Sequence, residues 1–441
     1  MSTTVTSAGP IEWLNKECFC ITVDPEMLRR ELEAHSSTRG LYDSLDATHP
    51  GLFAKTPVFV GRANVVAMQA LVTAVESVVQ LSAYRQTVLG WAPEIARFDP
   101  GIAGVLSSFD FHLTPDGPRL IEINTNAGGA FLTAVLSRAQ HACCAPVLEA
   151  FDRAAASGAS TETLTTRLFE MFRVEWARRR GHDVPLRRVA IVDDAPQQQY
   201  LYPEFLLAAQ LFRSRGVEAI ICDPTELAAA ADGLRHESGH IDLVYNRLTD
   251  FALAEPQHAV LREAYLSGQA VVTPHPRAHA LYADKRNLTV LSDAARLHEW
   301  GVEPATVATL HSMIPCTELV DPSRAEDLWT RRDELFFKPV AGFGGKATYR
   351  GAKLTRRVWN EILNGEYVAQ ALVPPSERSV RIEKQPAVSL KLDLRCYVYD
   401  GQVLSHAARL YQGQVTNFRT PGGGFASVFS FLHGNPPAAA R

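Results

Sequence analysis

The sequence of 441 residues has no uninterrupted apolar run of the roughly 18 residues that a membrane-spanning helix needs. It has only seven cysteines, an odd number without a Cys-x-x-Cys pair, which argues against a disulfide framework or a zinc ribbon. Its 44 basic and 48 acidic residues give a net charge of -4, which argues against a nucleic-acid partner. The sequence therefore predicts a soluble, cytoplasmic protein that binds neither nucleic acid nor membrane, with about three domains for its length.

Lysine is scarce. Only eight of the 44 basic residues are Lys, and none lies between Lys55 and Lys285. An ammonium group is a compact charge that suits clustered phosphate oxygens. The few positions that carry Lys are therefore candidates for a phosphate site.

The segment from about 188 to 276 alternates strand and helix patterns, which predicts a small parallel sheet covered by helices. Ligands of such sheets gather beyond the carboxyl ends of the strands, where Asp193, Arg247 and Asp250 lie. The predicted strands are 188–193, 217–222, 241–245 and 270–273, and the predicted helices are 204–215, 225–234 and 259–267.

A hairpin is predicted at 109–124, because Pro-Asp-Gly is a strong turn signal between two alternating runs. Centred on this turn, the hairpin pairs Phe109 with Ile123 and Phe111 with Ile121 on one apolar face. A helix is expected to follow at 130–154, and then a linker at 154–166 that is rich in Ala, Ser and Thr.

The other face of this hairpin places Asp110 opposite Glu122, with Asn124 on the same side. Facing carboxylates repel one another, and a bound divalent cation would remove that cost. Carboxylate and amide oxygens are hard ligands that suit Mg²⁺. The alternative is a solvated polar face, as most alternating hairpins have.

A second candidate site follows the apolar strand 335–339, which contains Lys338. The loop after it contains Gly342, Gly344 and Gly345, followed by Lys346. It matches neither the P-loop nor the dinucleotide fingerprint. Glycines nevertheless let backbone amides approach phosphate closely, so the pattern indicates either a phosphate loop or an ordinary surface turn.

The segment 366–375 contains a short apolar strand that is interrupted by Gln370 and ends in Pro-Pro. An adenine ring needs an apolar slot with a few hydrogen bonds at its edge. Residues Ala369, Gln370, Ala371 and Leu372 are the candidates, and the alternative is a core strand with Gln370 on its exposed face.

Basic residues near the C-terminus favour an anionic oxygen as ligand. A hairpin with an Asp-Gly turn carries Asp393 and Arg395 on one face and Arg409 on its returning strand. Asn417 and Arg419 follow in a Gly-rich segment. This mix suits a phosphoryl group or a tetrahedral oxyanion, although surface Arg residues are common.

The letters HExxH occur at 236–240, but that zinc motif works only on a helix, where both His share a face. Gly239 interrupts the motif and a strand begins directly after it. We therefore interpret this segment as a polar loop without zinc.

Together these pieces resemble the ATP-grasp superfamily of carboxylate–amine ligases. Their usual order is a βαβ domain, an Asp-Lys motif, a strand Lys-Pro with a Gly-rich loop, an adenine hinge, an Asp-x-Arg strand and a final metal hairpin. Here the hairpin comes early, and Ile-Glu-Ile-Asn-Thr at 121–125 is similar to the segment of eukaryotic-type glutathione synthetases, which are circularly permuted in this way.

The resemblance implies a mixed α/β (α+β) architecture, a circularly permuted ATP-grasp fold with an inserted βαβ substrate-binding domain. It implies an N-terminal part of the core with the metal hairpin at 1–175. The βαβ domain would span 176–290, and the nucleotide-binding lid with the rest of the core would span 291–441.

The chemistry that the resemblance implies is phosphorylation of a carboxylate by ATP with Mg²⁺, followed by attack of an amine on the acyl phosphate. The partners would be small-molecule carboxylates and amines, and the protein would form a homodimer. Lys285 and Lys338 would offset phosphate charge, and Arg247 would anchor a substrate carboxylate. Arg395 or Arg419 would stabilise the tetrahedral oxyanion.

One departure from those synthetases is Gly342, which stands where they have an acidic residue that helps to hold metal. Asp110 would take that role, as the corresponding Asp does in D-alanine–D-alanine ligases. Two alternatives stay open: a kinase of the same fold that phosphorylates a small molecule, and a catalytically silent ATP-binding protein.

Overall fold

The structure is a computed structural model that describes residues 10–34, 38–142, 163–342, 344–382 and 385–431. Most of the predicted linker at 154–166 lies outside these residues. The predicted helix at 130–154 is too long, because the helix ends at Arg138 and a strand follows at Gln140–Ala142, and its remainder lies outside the described residues. The strands are β1 (Ile21–Val23), β2 (Val58–Gly61), β3 (Ser107–Thr114), β4 (Gly117–Asn124), β5 (Gln140–Ala142), β6 (Arg188–Val192), β7 (Glu218–Cys222), β8 (Ala228–Ala230), β9 (Gly233–His236), β10 (Gly239–His240), β11 (Leu243–Asn246), β12 (Val271–Thr273), β13 (Thr317–Leu319), β14 (Leu335–Pro339), β15 (Tyr349–Arg350), β16 (Tyr367–Ala371), β17 (Ser376–Val380), β18 (Val388–Tyr399), β19 (Gln402–Tyr411) and β20 (Gly424–Phe431).

Helices cover both faces of the sheets. The α-helices of five or more residues are α1 (Pro10–Glu17), α2 (Pro25–Leu32), α3 (Leu41–Thr48), α4 (Arg62–Val79), α5 (Ser82–Trp91), α6 (Ala130–Arg138), α7 (Leu164–Arg180), α8 (Tyr202–Ser214), α9 (Ala259–Ser267), α10 (Asn287–Leu291), α11 (Ala294–Glu299), α12 (Pro304–Met313), α13 (Ala325–Thr330) and α14 (Arg356–Asn364).

The largest sheet has seven strands in the order β2-β20-β19-β18-β3-β4, with β17 pairing with β18. Strand β3 lies antiparallel to β18, so that Asp110 faces Arg395 across the pair. The early hairpin thus completes a sheet that is built mainly from the last third of the chain. Its interpretation as a circular permutation stays a prediction.

The early hairpin has the predicted turn and the predicted pairs Phe109 with Ile123 and Asp110 with Glu122. The predicted pair of Phe111 with Ile121 is wrong, because the register shifts after Asp110 and Phe111 pairs with Leu120. A β-bulge of this kind leaves one residue without a partner across the pair. Here that residue is Ile121, and its carbonyl is used by a side chain described below.

Four parallel strands form the predicted second sheet, in the order β12-β11-β6-β7. The predicted helix at 225–234 is wrong, because strands β8, β9 and β10 form a small antiparallel sheet there. Gly233 and Gly239 adopt φ angles of 129° and 126° and make the turns of this sheet. The run of alanines favours a helix, but it is too short to propagate one before the turn at Gly233.

The rejected HExxH letters lie within this small sheet. His236 ends β9 and His240 ends β10, on opposite sides of a turn. The absence of a helix at this segment is confirmed. The predicted polar loop between a helix and a strand is wrong, because His236 and Gly239–His240 belong to two paired strands.

The third sheet has the order β13-β16-β14-β15 and is antiparallel throughout. A small core of its own lies beneath it, formed by residues that include Leu328, Phe337, Trp359 and Ile362. This sheet brings the strand with Lys338 beside the strand with Gln370.

Helix α4 is long and apolar enough to cross a membrane by length and composition alone. Its inner face, from Met68 to Val79, belongs to the hydrophobic core that also contains Phe109, Leu394 and Cys396 from the large sheet. Packing against this sheet therefore accounts for the apolar composition of α4.

Candidate active site

Asp110 is the centre of a buried ion-pair network on the large sheet. Arg395 donates from Nε to Asp110 Oδ1 at 2.8 Å and from Nη2 to Oδ2 at 2.7 Å. Arg409 donates from Nη2 to the same Oδ2 at 2.8 Å. Burial alone would raise the pKa of Asp110, but the two guanidinium groups outweigh it and lower that pKa.

The network continues to the loop at 412–423. Arg409 donates from Nε to Asp393 Oδ1 at 2.7 Å, and the hydroxyl of Thr416 donates to Asp393 Oδ2 at 2.5 Å. The register of β18 and β19 sets this pairing, because Asp393 lies directly opposite Arg409. The predicted shared face of Asp393 and Arg395 thus carries alternating acid and base.

Asn124 joins the two carboxylates of the early hairpin. Its Nδ2 donates to Asp110 Oδ2 and to Glu122 Oε1, at 3.2 Å each. Its Oδ1 is therefore directed away from both carboxylates. The three predicted metal ligands lie together in the structure, and their binding of a cation stays a prediction.

Lys338 lies below this hairpin with only 4% of its surface exposed. Its Nζ donates to the carbonyl of Ile121 and to Gln370 Oε1, at 2.8 Å each. The bulge in the hairpin leaves that carbonyl available. Burial lowers the pKa of Lys338 to about 8, although Glu122 opposes the shift.

Lys285 is a second buried lysine, and it contacts the Gly-rich loop. Its Nζ donates to the carbonyl of Gly342 at 2.8 Å. Burial would raise the pKa of Glu122, but the ammonium groups of Lys285 and Lys338 lower it. Two buried lysines therefore contribute positive charge to the surroundings of Glu122.

The loop after Lys338 turns at Gly344 and Gly345, whose φ angles are 62° and 69°. A Cβ atom on Gly345 would meet the side chain of Val415 at 3.0 Å, so this loop abuts the loop at 412–423. Lys346 is exposed. The structure thus places the predicted phosphate loop at the rim of the site.

The predicted adenine hinge lies on an inner strand of the third sheet. The amide of Ala371 donates to the carbonyl of Cys316 at 2.8 Å, and the amide of Leu372 donates to that of Glu334 at 2.7 Å. Gln370 is buried beside Ala369 and bonds to Lys338, so the alternative that Gln370 lies on an exposed face is wrong. Contact of this segment with adenine stays a prediction.

Across the loop at 125–130 lies the carboxyl end of the parallel sheet, where Arg247 is buried. Its Nη1 donates to the carbonyl of Ala127 at 3.3 Å and to the hydroxyl of Tyr245 at 3.2 Å. Its Nε has no hydrogen-bond partner within the residues that the structure describes. A buried guanidinium with an unused donor is costly unless an anion completes it.

Asp193 ends the neighbouring strand, and burial raises its pKa to about 7 in spite of the nearby Arg247. Beside it, the buried imidazole of His258 bridges Asp250 Oδ2 at 2.8 Å and Asp194 Oδ1 at 2.9 Å. The predicted cluster at the strand ends is therefore charged, and His258 belongs to it although no motif pointed to this residue.

The Gly128-Gly129 pair connects the two halves of the site. The carbonyl of Gly128 accepts from Arg395 Nη1 at 3.1 Å and from the Tyr397 hydroxyl at 2.9 Å. The amide of Gly129 donates to the carboxylate of Glu204, which is fully buried. Sequence reasoning missed Glu204 and Tyr397, and the only signal for them was the Gly-Gly pair after the hairpin.

Arg419 does not join the network around Asp110. Its side chain is exposed, and its backbone amide donates to Asn417 Oδ1 at 3.1 Å. The ring of the preceding Phe418 stacks on Tyr200 of the parallel-sheet region, with centroids 5.6 Å apart. The structure thus places Arg419 on an exposed loop that packs against Tyr200 through Phe418.

No protein-family profile and no curated protein matches the sequence. Among solved structures, a glutathione synthetase-like effector of Globodera pallida in its apo form matches with a TM-score of 0.52 at 12% identity, covering 92% of this chain and 98% of that chain. A putative gamma-glutamylcysteine synthetase from Methylobacillus flagellatus KT matches with a TM-score of 0.46 at 12% identity, covering 81% of this chain and 85% of that chain. The ATP-grasp ligase PsnB, complexed with minimal precursor, Mg and ADP, matches with a TM-score of 0.30 at 15% identity, over 55% of this chain and 88% of that chain.

The first of these matches extends over nearly the whole of both chains. With the mixed α/β architecture and the order of the sheets described above, it bears out the fold expected from the sequence motifs. The chain has an ATP-grasp-type fold.

Proposed function

We propose that the protein is an ATP-dependent ligase that activates a carboxylate as an acyl phosphate and joins it to an amine. The observation that carries this proposal is the burial of two lysines beside the early hairpin: Lys338 donates to the carbonyl of Ile121, next to Glu122, and Lys285 donates to the carbonyl of Gly342 in the loop that follows Lys338. Two buried ammonium groups around one carboxylate provide more positive charge than the protein itself neutralises there. A triphosphate would supply the missing negative charge.

Mg²⁺ and ATP fit the donor set on this side of the site. The Glu122 carboxylate and Asn124 Oδ1, which is directed away from both carboxylates, are hard oxygen ligands for Mg²⁺. The bound cation would neutralise phosphate charge. Lys338 and Lys285 would hold phosphate oxygens, and the glycines of the 342–345 loop together with Lys346 would cover them and exclude water. Residues Ala369, Gln370, Ala371 and Leu372 would form the slot for adenine.

The acid substrate would bind at the other side, against Arg247. The unused Nε of this buried guanidinium would donate to the substrate carboxylate. Asp193 lies on the adjacent strand end and would accept from an ammonium group, which favours amino-acid-like acids. The acid would then extend past Gly128 toward Arg395.

The phosphorylated acid would place its carbonyl near Arg395, whose guanidinium is held rigidly by Asp110 and by the Gly128 carbonyl. A fixed donor at this position stabilises the negative charge that develops when an amine attacks. Arg419 would close over the substrates with its exposed loop and shield the acyl phosphate from water.

The experiment is to mix the purified protein with ATP, Mg²⁺ and pairs of amino acids and to measure release of ADP and phosphate, with mass spectrometry of the products. An amide product together with ADP supports the proposal. A stable phosphorylated product without an amide would replace it by a small-molecule kinase. ATP binding without turnover on any pair would leave a silent nucleotide-binding protein.

A further inference from the structure

The sequence predicts that Asp110 and Glu122 both bind the cation, but their contacts differ. Both of its oxygens accept hydrogen bonds from guanidinium groups, two from Arg395 and one from Arg409. The residue is only 1% exposed. Apart from the hydrogen bond from Asn124 Nδ2 at 3.2 Å, its lone pairs are therefore directed at the two arginines.

Glu122 has the opposite surroundings. Among the hydrogen bonds of the described residues, its carboxylate accepts only from Asn124 Nδ2, at 3.2 Å. Its charge is balanced at longer range by Lys285 and Lys338, which leaves its second oxygen open to a further ligand. The two facing carboxylates of the hairpin thus have different tasks.

Resting on the proposed function, we propose that Asp110 positions Arg395 and Arg409 and does not ligate the cation. Glu122 and Asn124 are then the protein's own ligands, and phosphate oxygens and water complete the shell of the cation. A cation at Asp110 would break both of its ion pairs. It would leave the buried guanidinium group of Arg395 without its anion, and Arg409 would keep only Asp393.

The network also explains what Asp110 positions. Arg395 reaches the Gly128 carbonyl beside the acid site, and Arg409 reaches Asp393 and, through it, Thr416 of the 412–423 loop. One carboxylate therefore fixes the arginine that faces the reacting carbonyl and connects it to the loop that lies over the site. Each guanidinium retains N–H groups that this network does not use.

The proposal extends to the number of ligands that the protein provides. Gly342 has no side chain that could ligate a cation, and its carbonyl already accepts from Lys285. If Asp110 is not a ligand either, the carboxylate of Glu122 and the amide oxygen of Asn124 remain as the protein's ligands. Such a pair binds a divalent cation weakly by itself, so the cation enters together with the nucleotide.

The experiment measures Mn²⁺ binding by electron paramagnetic resonance, with and without a non-hydrolysable ATP analogue, in wild type, Asp110→Asn and Glu122→Gln. In wild type we expect tight binding only in the presence of the analogue. Glu122→Gln weakens it by about tenfold or more. Asp110→Asn leaves it close to wild type but lowers kcat.

A loss of Mn²⁺ affinity in Asp110→Asn that equals the loss in Glu122→Gln would overturn the proposal. Wild type that binds neither the analogue nor Mn²⁺ would instead overturn the proposed function, so the two failures are distinguishable. Asp110→Asn combined with Arg395→Lys should lower kcat by less than the product of the single effects, because both changes disrupt one unit.

If Asp110→Asn does not fold, as judged by circular dichroism, Arg409→Met serves as the second variant. It releases one side of Asp110 without removing the carboxylate. The proposal expects unchanged Mn²⁺ affinity in this variant. Tighter Mn²⁺ binding would show that the released carboxylate is a ligand and would overturn it.

Discussion

In the large antiparallel sheet, Asp110, Arg395, Arg409 and Asp393 neutralise one another through bonds of 2.7 to 2.8 Å. At the end of the four-stranded parallel sheet, by contrast, Arg247 keeps an unused donor in a buried position. Cross-strand pairing creates the first arrangement, because opposite residues of antiparallel strands face each other directly. Residues at the ends of parallel strands extend beyond the sheet without a cross-strand partner, so a charge such as that of Arg247 can keep a donor for a ligand, although His258 pairs with Asp194 and Asp250 there.

Replacing Lys338 by Ala should have the largest effect, because it removes the buried cation of the nucleotide side. We expect the rate of ADP release to fall by about a hundredfold or more, as for loss of one preorganised charge in an active site. The measurement is ATP turnover with the acid and amine that the product screen identifies. Lys353→Ala is the matched control, because Lys353 is an exposed lysine in the same part of the chain. Equal turnover in the two variants would contradict the nucleotide assignment.

Replacing Arg247 by Lys tests the end of the parallel sheet, where the Nε of this residue is unused. An ammonium group retains the charge but cannot reproduce the direction of Nε, so we expect the KM for the acid to rise about tenfold, the cost of one charged hydrogen bond. Affinity for the ATP analogue should not change. Arg187→Lys, at an exposed position of the same region, provides the control. A rise in the KM for ATP alone would show that Arg247 serves the nucleotide and not the acid substrate.

The pKa of Asp193, raised to about 7, predicts a pH dependence that is specific to the parallel sheet. Below about pH 7 the carboxyl group is neutral and loses its attraction for a substrate ammonium, so the KM for the acid should rise as the pH falls. Asp193→Asn should have a high KM that does not change with pH in this range. A sloping profile in that variant would assign the titration to another group.

The raised pKa of Asp193 also affects stability, but in the opposite direction, because the free energy of unfolding should fall as the pH rises. A carboxyl group whose pKa is higher in the folded state than in the unfolded state stabilises the fold most at low pH, and this contribution is lost as the pH rises to about 7. Denaturant unfolding of wild type and Asp193→Asn across this range measures it. The variant should show the smaller decline in the free energy of unfolding.

The smallest effect is expected for His236→Ala combined with His240→Ala, because these residues belong to the small sheet formed by β8, β9 and β10. Neither residue contacts the network around Asp110 or Arg247 in the hydrogen bonds of the described residues. We expect unchanged turnover and the same metal content as wild type by elemental analysis. Loss of activity together with loss of zinc would revive the metal motif.

Local signals explain which parts of the fold were predictable. The Pro-Asp-Gly and Asp-Gly turns and the alternating runs beside them specify both hairpins, and the pairing of Asp110 with Glu122 follows from the turn. The helix at 225–234 was predicted wrongly from its alanines, because helix propensity is a weak signal that two turns overrule. The bulge at Ile121 has no signature in the sequence, and it is what gives Lys338 an acceptor.

By itself the sequence determined which side chains were available for the chemistry and the strand ends and turns on which they lie, because turn signals and periodicity act over a few residues. Only the tertiary structure decided their partners. It joined Asp110 to arginines about 285 and 299 positions away, put Gln370 inside against Lys338 and left Arg419 exposed. Such choices depend on which strands become neighbours in a sheet and on the cost of burying an unpaired charge, and neither is encoded in any short stretch of residues.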